Sequence, residues 1–301
     1  MNRPAPRSID QYLAQLRDAL KGEDPALVQD ALYDAEEYLR AELASHAPKS
    51  EADMLELIAS TYGAPEEVAD AYRTTEKTVR EALKRVPPPA RRTPLGRFFG
   101  IYADSRAWTA LFYMLLALVT GIFYFTVAVT GLSLSAGLAV LIIGVPVFLL
   151  FIGLTRVLSL VEGRIVEGLL GVRMPRRPLR STQGLSFGAR ILEMLRDRRT
   201  WTTLLYMLLM LPLGIVYFTA AVSGLAIGVS CVVAPLLELL HAIGLVPVAI
   251  DFNGELVPWP VTLPIAAFGI LLTTALMHGL RGLGELHGRF ARALLLSRDA
   301  E

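Results

Sequence analysis

The 301-residue chain has a single cysteine, no lysine after Lys84, and no charged residue from Ala107 to Thr155. The lone Cys231 excludes an intramolecular disulfide and any site built on cysteine pairs. An uncharged run of that length does not suit an ordinary soluble domain and gives room for two membrane crossings. The first twenty residues, MNRPAPRSIDQYLAQLRDAL, are polar and amphipathic, without the apolar core of a signal peptide. The N-terminal head is therefore expected to remain in the cytoplasm. Chemistry-bearing motifs are also scarce. Gly279-x-x-Gly282-x-Gly284 has neither the order nor the preceding strand of a nucleotide fingerprint, and no Ser/His/Asp set can be assembled. The expectation is a protein that is not an enzyme and carries no cofactor.

The charges that are present are unevenly placed. Residues 1–87 hold 17 acidic and 11 basic side chains, a net −6, whereas residues 88–301 hold 11 and 18, a net +7. A near-neutral total thus hides an acidic head and a basic body. The body is written twice. Trp108–Leu132 returns 93 residues later as Trp201–Leu225, with 17 of 25 positions identical, and Asp104/Asp197 and Arg106/Arg199 match upstream. A weaker match follows at an offset of 125: Arg156-x-Leu158, Gly163-Arg164 and Leu169-Leu170 recur as Arg281-x-Leu283, Gly288-Arg289 and Leu294-Leu295. The second copy has therefore gained 32 residues between its two helices.

Periodicity predicts a helical head. Ser8 or Asp10 caps a helix to about Leu20, Pro25 opens one to about Ala44, Ser50 caps one to Tyr62, and Ala64-Pro65 opens a fourth. Pro87-Pro88-Pro89 is a stiff linker. Four spans are expected at roughly 108–130, 134–155, 201–223 and 260–281, with a turn at 131–135 and a re-entrant or interfacial helix in 226–247. Ten arginines in 156–199 and four after residue 280, against none in 131–135 or 224–259, place both termini inside. The fold class expected is all-α. A cytosolic helical domain (1–86) and a Pro/Arg linker (87–94) precede two parallel in-out-in repeats (95–183 and 184–301), the second carrying an outer-loop insertion at about 226–259.

Two strings resemble known families. Ile9-Asp10-x-Tyr12-Leu13, Asp30 through Tyr38 (DALYDAEEY) and Tyr62-Gly63-Ala64-Pro65-Glu66-Glu67-Val68-Ala69 resemble the HAAS-type signalling domain. The duplicated W-x-x-L-x-Y-x-L-L-x-L-x-x-G-I-x-Y-F is similar to the sensor domain of bacterial membrane proteins, some of them histidine kinases. The resemblance implies a bacterial inner-membrane sensor or regulator with a cytosolic partner such as a PadR-like transcriptional regulator. No kinase domain follows the last span, so output passes through the head or a partner.

Candidate sites follow from residue type and placement. Tyr113, Ala117, Gly121, Tyr124 and Ala128 share a helix face, as do Tyr206, Gly214 and Tyr217, either to pack the repeats or, with Trp259, to line a pocket for an apolar or amphipathic ligand. The acidic band with Asp30, Tyr33, Asp34, Glu37 and Tyr38 is a solvated face or a partner surface. Its charge argues against direct nucleic-acid binding. Arg106, Arg164, Arg199 and Arg289 are placed to meet lipid headgroups, the C-terminal part of each repeat being read as an interfacial amphipathic helix. The spans are read as free of charge, which speaks against ion transport. Of the four histidines (His46, His241, His278 and His287), His278 and His287 lie with Glu285 near the cytoplasmic end of the last span, lack metal-ligand spacing and are read as interfacial polar side chains. Asp251-Phe252-Asn253-Gly254-Glu255 is read as a hairpin turn between VPVAI and LVPWP rather than a cation site.

These readings favour a non-enzymatic membrane sensor. The alternatives are a small lipid or amphiphile transporter or scramblase, and a membrane-shaping scaffold that would homo-oligomerise. The orientation is testable first. In a Cys231→Ser background, Ser181→Cys should react with an impermeant thiol reagent only from the cytosolic side and Asn253→Cys only from the other. Labelling of both from one side would overturn the topology.

Overall fold

The computed structural model describes residues 5–45, 55, 62–82, 93–138, 144–175, 196–247, 251–252, 255–256 and 259–296. The head begins with α1 (Ile9–Ala19), whose free N–H groups are capped by Ser8: its hydroxyl accepts from the Gln11 N–H at 3.2 Å. Ile9, Tyr12, Leu16 and Leu20 form its buried stripe. Helix α2 (Pro25–Ser45) starts on a proline, and the Asp24 carboxylate accepts from the Ala26 N–H at 2.9 Å. Helix α3 (Pro65–Ala82) carries Glu66 and Glu67 in its first turn, opposite the positive end of its dipole. Before it, Gly63 sits at φ +106°, and its carbonyl accepts from the Tyr12 hydroxyl at 2.9 Å, tying α1 to the entry of α3. The Tyr72 hydroxyl donates to Asp34 at 2.9 Å; burial first, then that bond, raise its pKa well above the usual phenol value. The helix expected over 50–62 and the Pro87–Pro89 linker lie outside the described residues, apart from Leu55, which is helical, and Tyr62, which lies in a turn.

The body consists of α4 (Pro94–Phe99), a 3-10 turn (Gly100–Ala103) and four helices long and apolar enough to cross a membrane. These are α5 (Ser105–Gly137), α6 (Gly144–Leu170), α7 (Arg198–Ala242) and α8 (Thr262–Leu295). The protein is thus an all-α polytopic membrane protein, as its composition predicts. Between α7 and α8, β1 (Asp251–Phe252) and β2 (Glu255–Leu256) pair antiparallel, so a hairpin forms as expected, but its first strand follows VPVAI instead of lying in it and its second shares only Leu256 with LVPWP.

Three boundaries differ from the sequence expectation, each for a physical reason. The turn expected at 131–135 is helical, because Gly131 has no side chain and so admits the Phe151 ring against the backbone of α5. No separate re-entrant or interfacial helix exists at 226–242. Helix α7 continues through Pro212 and Pro235, and its buried Gly228, Ala234 and Glu238 keep one face packed beyond the first proline. Finally, α6 and α8 run to Leu170 and Leu295, well past the expected ends at 155 and 281. The stretches read as interfacial amphipathic helices are therefore the C-terminal ends of the span helices, and Val166 and Ala291 there are completely buried.

Helices α5 and α7 form the central contact, with α6 laid on α5 and α8 on α7. Their crossing depends on two equivalent glycines. A methyl on Gly121 would lie 2.5 Å from the Met210 carbonyl oxygen, and one on Gly214 would collide with that of Ala117. Ala117 and Met210 are themselves related by the 93-residue offset, so the two chains of backbone touch about a pseudo-twofold axis. Gly131 against Phe151 and Gly224 against Leu276 repeat the relation further along. Gly214→Val should therefore lower unfolding stability in detergent by about 1–3 kcal/mol through overpacking. Gly137→Ala, with nothing within 4 Å, should change it little. Equal thermal midpoints for the two variants would contradict the close crossing.

Candidate functional site: a buried tyrosine–carboxylate–imidazole cluster

The four duplicated tyrosines converge. Tyr113 and Tyr124 lie eleven residues, about three helical turns, apart on α5; Tyr206 and Tyr217 repeat this on α7. All four side chains are buried. Their hydroxyls meet two polar residues from the flanking helices, Glu162 of α6 and His287 of α8, each 1% exposed. Glu162 Oε1 accepts from Tyr113 and from Tyr206, both at 2.7 Å, and Oε2 accepts from Tyr124 at 2.9 Å. His287 Nε2 lies 2.7 Å from the Tyr113 hydroxyl and 3.1 Å from that of Tyr206, and Nδ1 lies 3.2 Å from that of Tyr217.

The arrangement is symmetric in a way that the 125-residue offset explains. Position 162 of the first repeat corresponds to position 287 of the second. Each residue uses one atom to reach both inner tyrosines and the other atom to reach the outer tyrosine of its own repeat. The scaffold is therefore twofold, but its centre is not: one copy places a carboxylate there and the other an imidazole. A buried carboxylate is tolerated in a membrane interior only when its lone pairs are satisfied, and here three O–H groups do so.

A second set of paired contacts joins the repeats near their ends. Asp104 and Asp197 are the N-caps of α5 and α7, accepting from the N–H of Arg106 and Arg199 at 3.0 and 2.9 Å. Each carboxylate also meets an arginine of the other repeat: Arg281–Asp104 at 2.6 Å and Arg156–Asp197 at 3.5 Å. Arg156 and Arg281 are again equivalent positions. The duplication thus exchanges ion pairs as well as hydroxyls across its axis.

The head is fastened to this same end of the bundle. Arg173, just beyond α6, places Nη2 3.1 Å from Asp30, Nε 3.2 Å from Glu76 and Nη1 3.4 Å from Glu167. Burial opposes its charge, yet the carboxylates of Glu76, Asp30 and Glu167 outweigh that and hold its pKa above the usual guanidinium value. Arg292 of α8 meets Asp24 at 3.2 Å. The acidic head and basic body recognised in the sequence therefore neutralise one another at two points.

Of the residues singled out from sequence, the structure brings Tyr113, Tyr124, Tyr206 and Tyr217 together. Trp259 opens a 3-10 turn before α8, at the opposite end of that helix from His287. Asp30 faces Arg173, Asp34 accepts from Tyr72, and Tyr38 stacks on Tyr62 at 4.4 Å, while Glu37 is exposed and Tyr33 half-buried. Arg106, Arg164 and Arg289 are exposed; Arg199 is half-buried beside its capping aspartate. Of the three glycines at 279, 282 and 284, only Gly284 packs closely, against Ala110. His278 reaches the Phe98 carbonyl at 2.9 Å, His241 lies 3.2 Å from that of Val246, and His46 lies outside the described residues. Among the described residues, no group of three or more His, Cys, Asp or Glu side chains is placed to hold a metal.

Two expectations are corrected. The spans are not free of charge-bearing groups, because α6 carries Glu162 into the bundle. His287 is not interfacial but central. Both were hidden by ending the spans where the uncharged run ends. The offset of 125 would have exposed them, since it sets Glu162 and His287 opposite each other with tyrosines at matching positions alongside.

The fold and this cluster define a four-span helical membrane protein made of two parallel repeats that share one polar centre. Residues 113–295 match the model of the family described as "Putative sensor", more than half of the chain, and the chain belongs to that family. The matched region starts at the first cluster tyrosine and ends with α8. Searches of curated proteins and of solved structures give no significant match.

Removing one hydroxyl should be felt. Tyr206→Phe leaves the ring in place but withdraws a donor from Glu162 across the repeat interface. Thermal unfolding in detergent should show a loss of about 1–3 kcal/mol, in the range of a hydrogen bond to a charged group. Phe112→Tyr, on the exposed face of α5, serves as a control and should be near neutral. An unchanged Tyr206→Phe would mean that the cluster contributes nothing to holding the repeats together.

Proposed function

We propose that the protein is a non-enzymatic sensor of the bacterial inner membrane, with both termini in the cytoplasm. In this reading the packing of its two repeats sets the position of the head, and the head reports to a cytosolic partner. One observation carries it: the head's described ion pairs fall at the ends of α6 and α8, on Arg173 and Arg292. Those are the helices that carry Glu162 and His287. A change in how α6 and α8 seat against the central pair would move both anchors together. A stimulus can shift that equilibrium only by binding two packings with different affinity.

The resemblance of the head to HAAS-type domains supports a PadR-like regulator as the partner. Asp30 lies in the acidic band read as a partner surface and is at the same time bound by Arg173, so docking on the body and binding of a partner would compete for it. Arginine recognises carboxylates through its planar fork, and reversing its charge replaces attraction with repulsion.

The test is the full-length Arg173→Glu/Arg292→Glu variant, with spin labels at exposed Asp18 of the head and exposed Arg164 of α6. The distance between labels should lengthen and broaden relative to the wild type. In cells, transcription controlled by the PadR-like partner should change with it. An unchanged distance would remove the ion pairs as the latch. An altered distance with unchanged transcription would remove the relay.

A further inference from the structure

We propose that the Glu162–His287 pair is a proton-binding site, and that one proton taken up at His287 Nδ1 alters how the two repeats are held together. The geometry constrains where each proton sits. Tyr113 and Tyr206 lie 2.7 Å from Glu162 Oε1 and Tyr124 lies 2.9 Å from Oε2, so the carboxylate accepts all three hydroxyl protons. Tyr113 and Tyr206 then have no proton left for His287 Nε2, which lies 2.7 and 3.1 Å from their oxygens. Nε2 must be the donor, and the tautomer follows from its partners. In the neutral ring Nδ1 keeps its lone pair, and Tyr217 donates to it across 3.2 Å.

That state satisfies every group but carries one net negative charge in the interior. A proton arriving at Nδ1 makes the imidazolium, Tyr217 rotates its hydroxyl to accept instead of donate, and the cluster becomes neutral. No other bond is broken, and the proton comes from water. Uptake at Glu162 Oε1 instead would turn the hydroxyl proton of Tyr113 or Tyr206 toward His287 Nε2, which already donates to both oxygens, a conflict that Tyr217 does not meet. A buried net charge in a membrane interior is costly, so the proton changes the energy of the shared centre.

The groups facing this site are complete from all four helices among the described residues. Helix α5 supplies Tyr113 and Tyr124, α7 supplies Tyr206 and Tyr217, and Glu162 and His287 are the acid and the base. Neighbouring charges on α6 and α8 are directed elsewhere: Arg164 to Glu167, Arg281 to Asp104 and Arg292 to Asp24. The site lies about 12 Å inside the helix ends, since Glu162 and His287 each precede the last residue of their helix by eight positions.

This deepens the sensor reading, on which it rests for its consequence, by naming the proton as the species to which the repeats respond. The test reads the site itself. Full-length protein labelled with 15N-histidine in lipid nanodiscs is titrated from about pH 8 to about pH 5, the range in which histidine switches are useful. The His287 signals are identified by their loss in His287→Gln and, should that variant not fold, by their perturbation in Tyr217→Phe. The expected result is conversion of Nδ1 from an unprotonated to a protonated nitrogen, with Nε2 protonated throughout. The thermal midpoint of the wild type should shift over the same interval. A His287 ring that keeps one tautomer across the range would overturn the proposal, as would a carboxyl C=O infrared band appearing at Glu162 with a silent imidazole. Either failure leaves the head relay standing, and failure of the head-release experiment leaves the proton site standing.

Discussion

A carboxylate inside a helical membrane bundle must have its lone pairs filled, and the centre of this protein is built around filling those of Glu162. Three tyrosine hydroxyls from two helices do it. That requirement brings α5 and α7 close together, because Tyr113 and Tyr206 must reach one oxygen from opposite sides. The closeness in turn demands glycine at 121 and 214, where the backbones cross. Polar satisfaction and helix packing are thus a single constraint. Neither half of the duplication can meet it alone, since Glu162 draws on a tyrosine of each repeat.

Duplication usually yields matching halves, and nearly every structural position here obeys that. The N-capping aspartates, the exchanged ion pairs, the crossing glycines and the tyrosines all come in equivalent pairs. The exception is the one place where the two copies meet chemically. A second glutamate in place of His287 would set two carboxylates against the same pair of hydroxyls, which cannot donate to both. A second imidazole in place of Glu162 would leave those hydroxyls without a strong acceptor. An acid opposite a base satisfies the four hydroxyls, and breaking the symmetry there follows from counting donors and acceptors.

Much of this was legible in the sequence, and what was not has definite causes. The repeat, the four spans and most head boundaries follow from periodicity and composition, and so do the common face of Tyr113, Gly121 and Tyr124 and its second copy. Hydropathy located the spans but not their ends. Helices α6 and α8 continue after the uncharged run because a buried face with Val166 and Ala291 persists beneath exposed arginines. An amphipathic continuation of a span reads like an interfacial helix when only one chain is viewed. Likewise α7 continues through Pro235, where a proline removes a backbone hydrogen bond and crowds the carbonyl four residues before it, because buried Ala234 and Glu238 keep that stretch packed.

The unequal charge of the two halves acquires a similar explanation. An acidic head and a basic body need not have separate partners when Asp24, Asp30 and Glu76 already meet Arg292 and Arg173. The most direct measurement of the central claim is a double-mutant cycle across the repeat interface, using Tyr206→Phe, Glu162→Gln and the pair together in full-length protein. If one carboxylate joins the repeats through that hydroxyl, the two losses will not add, and the coupling energy should lie at about 0.5–3 kcal/mol. Strictly additive losses, within about 0.3 kcal/mol, would show that the residues are neighbours without being partners and would contradict a structure held together at Glu162.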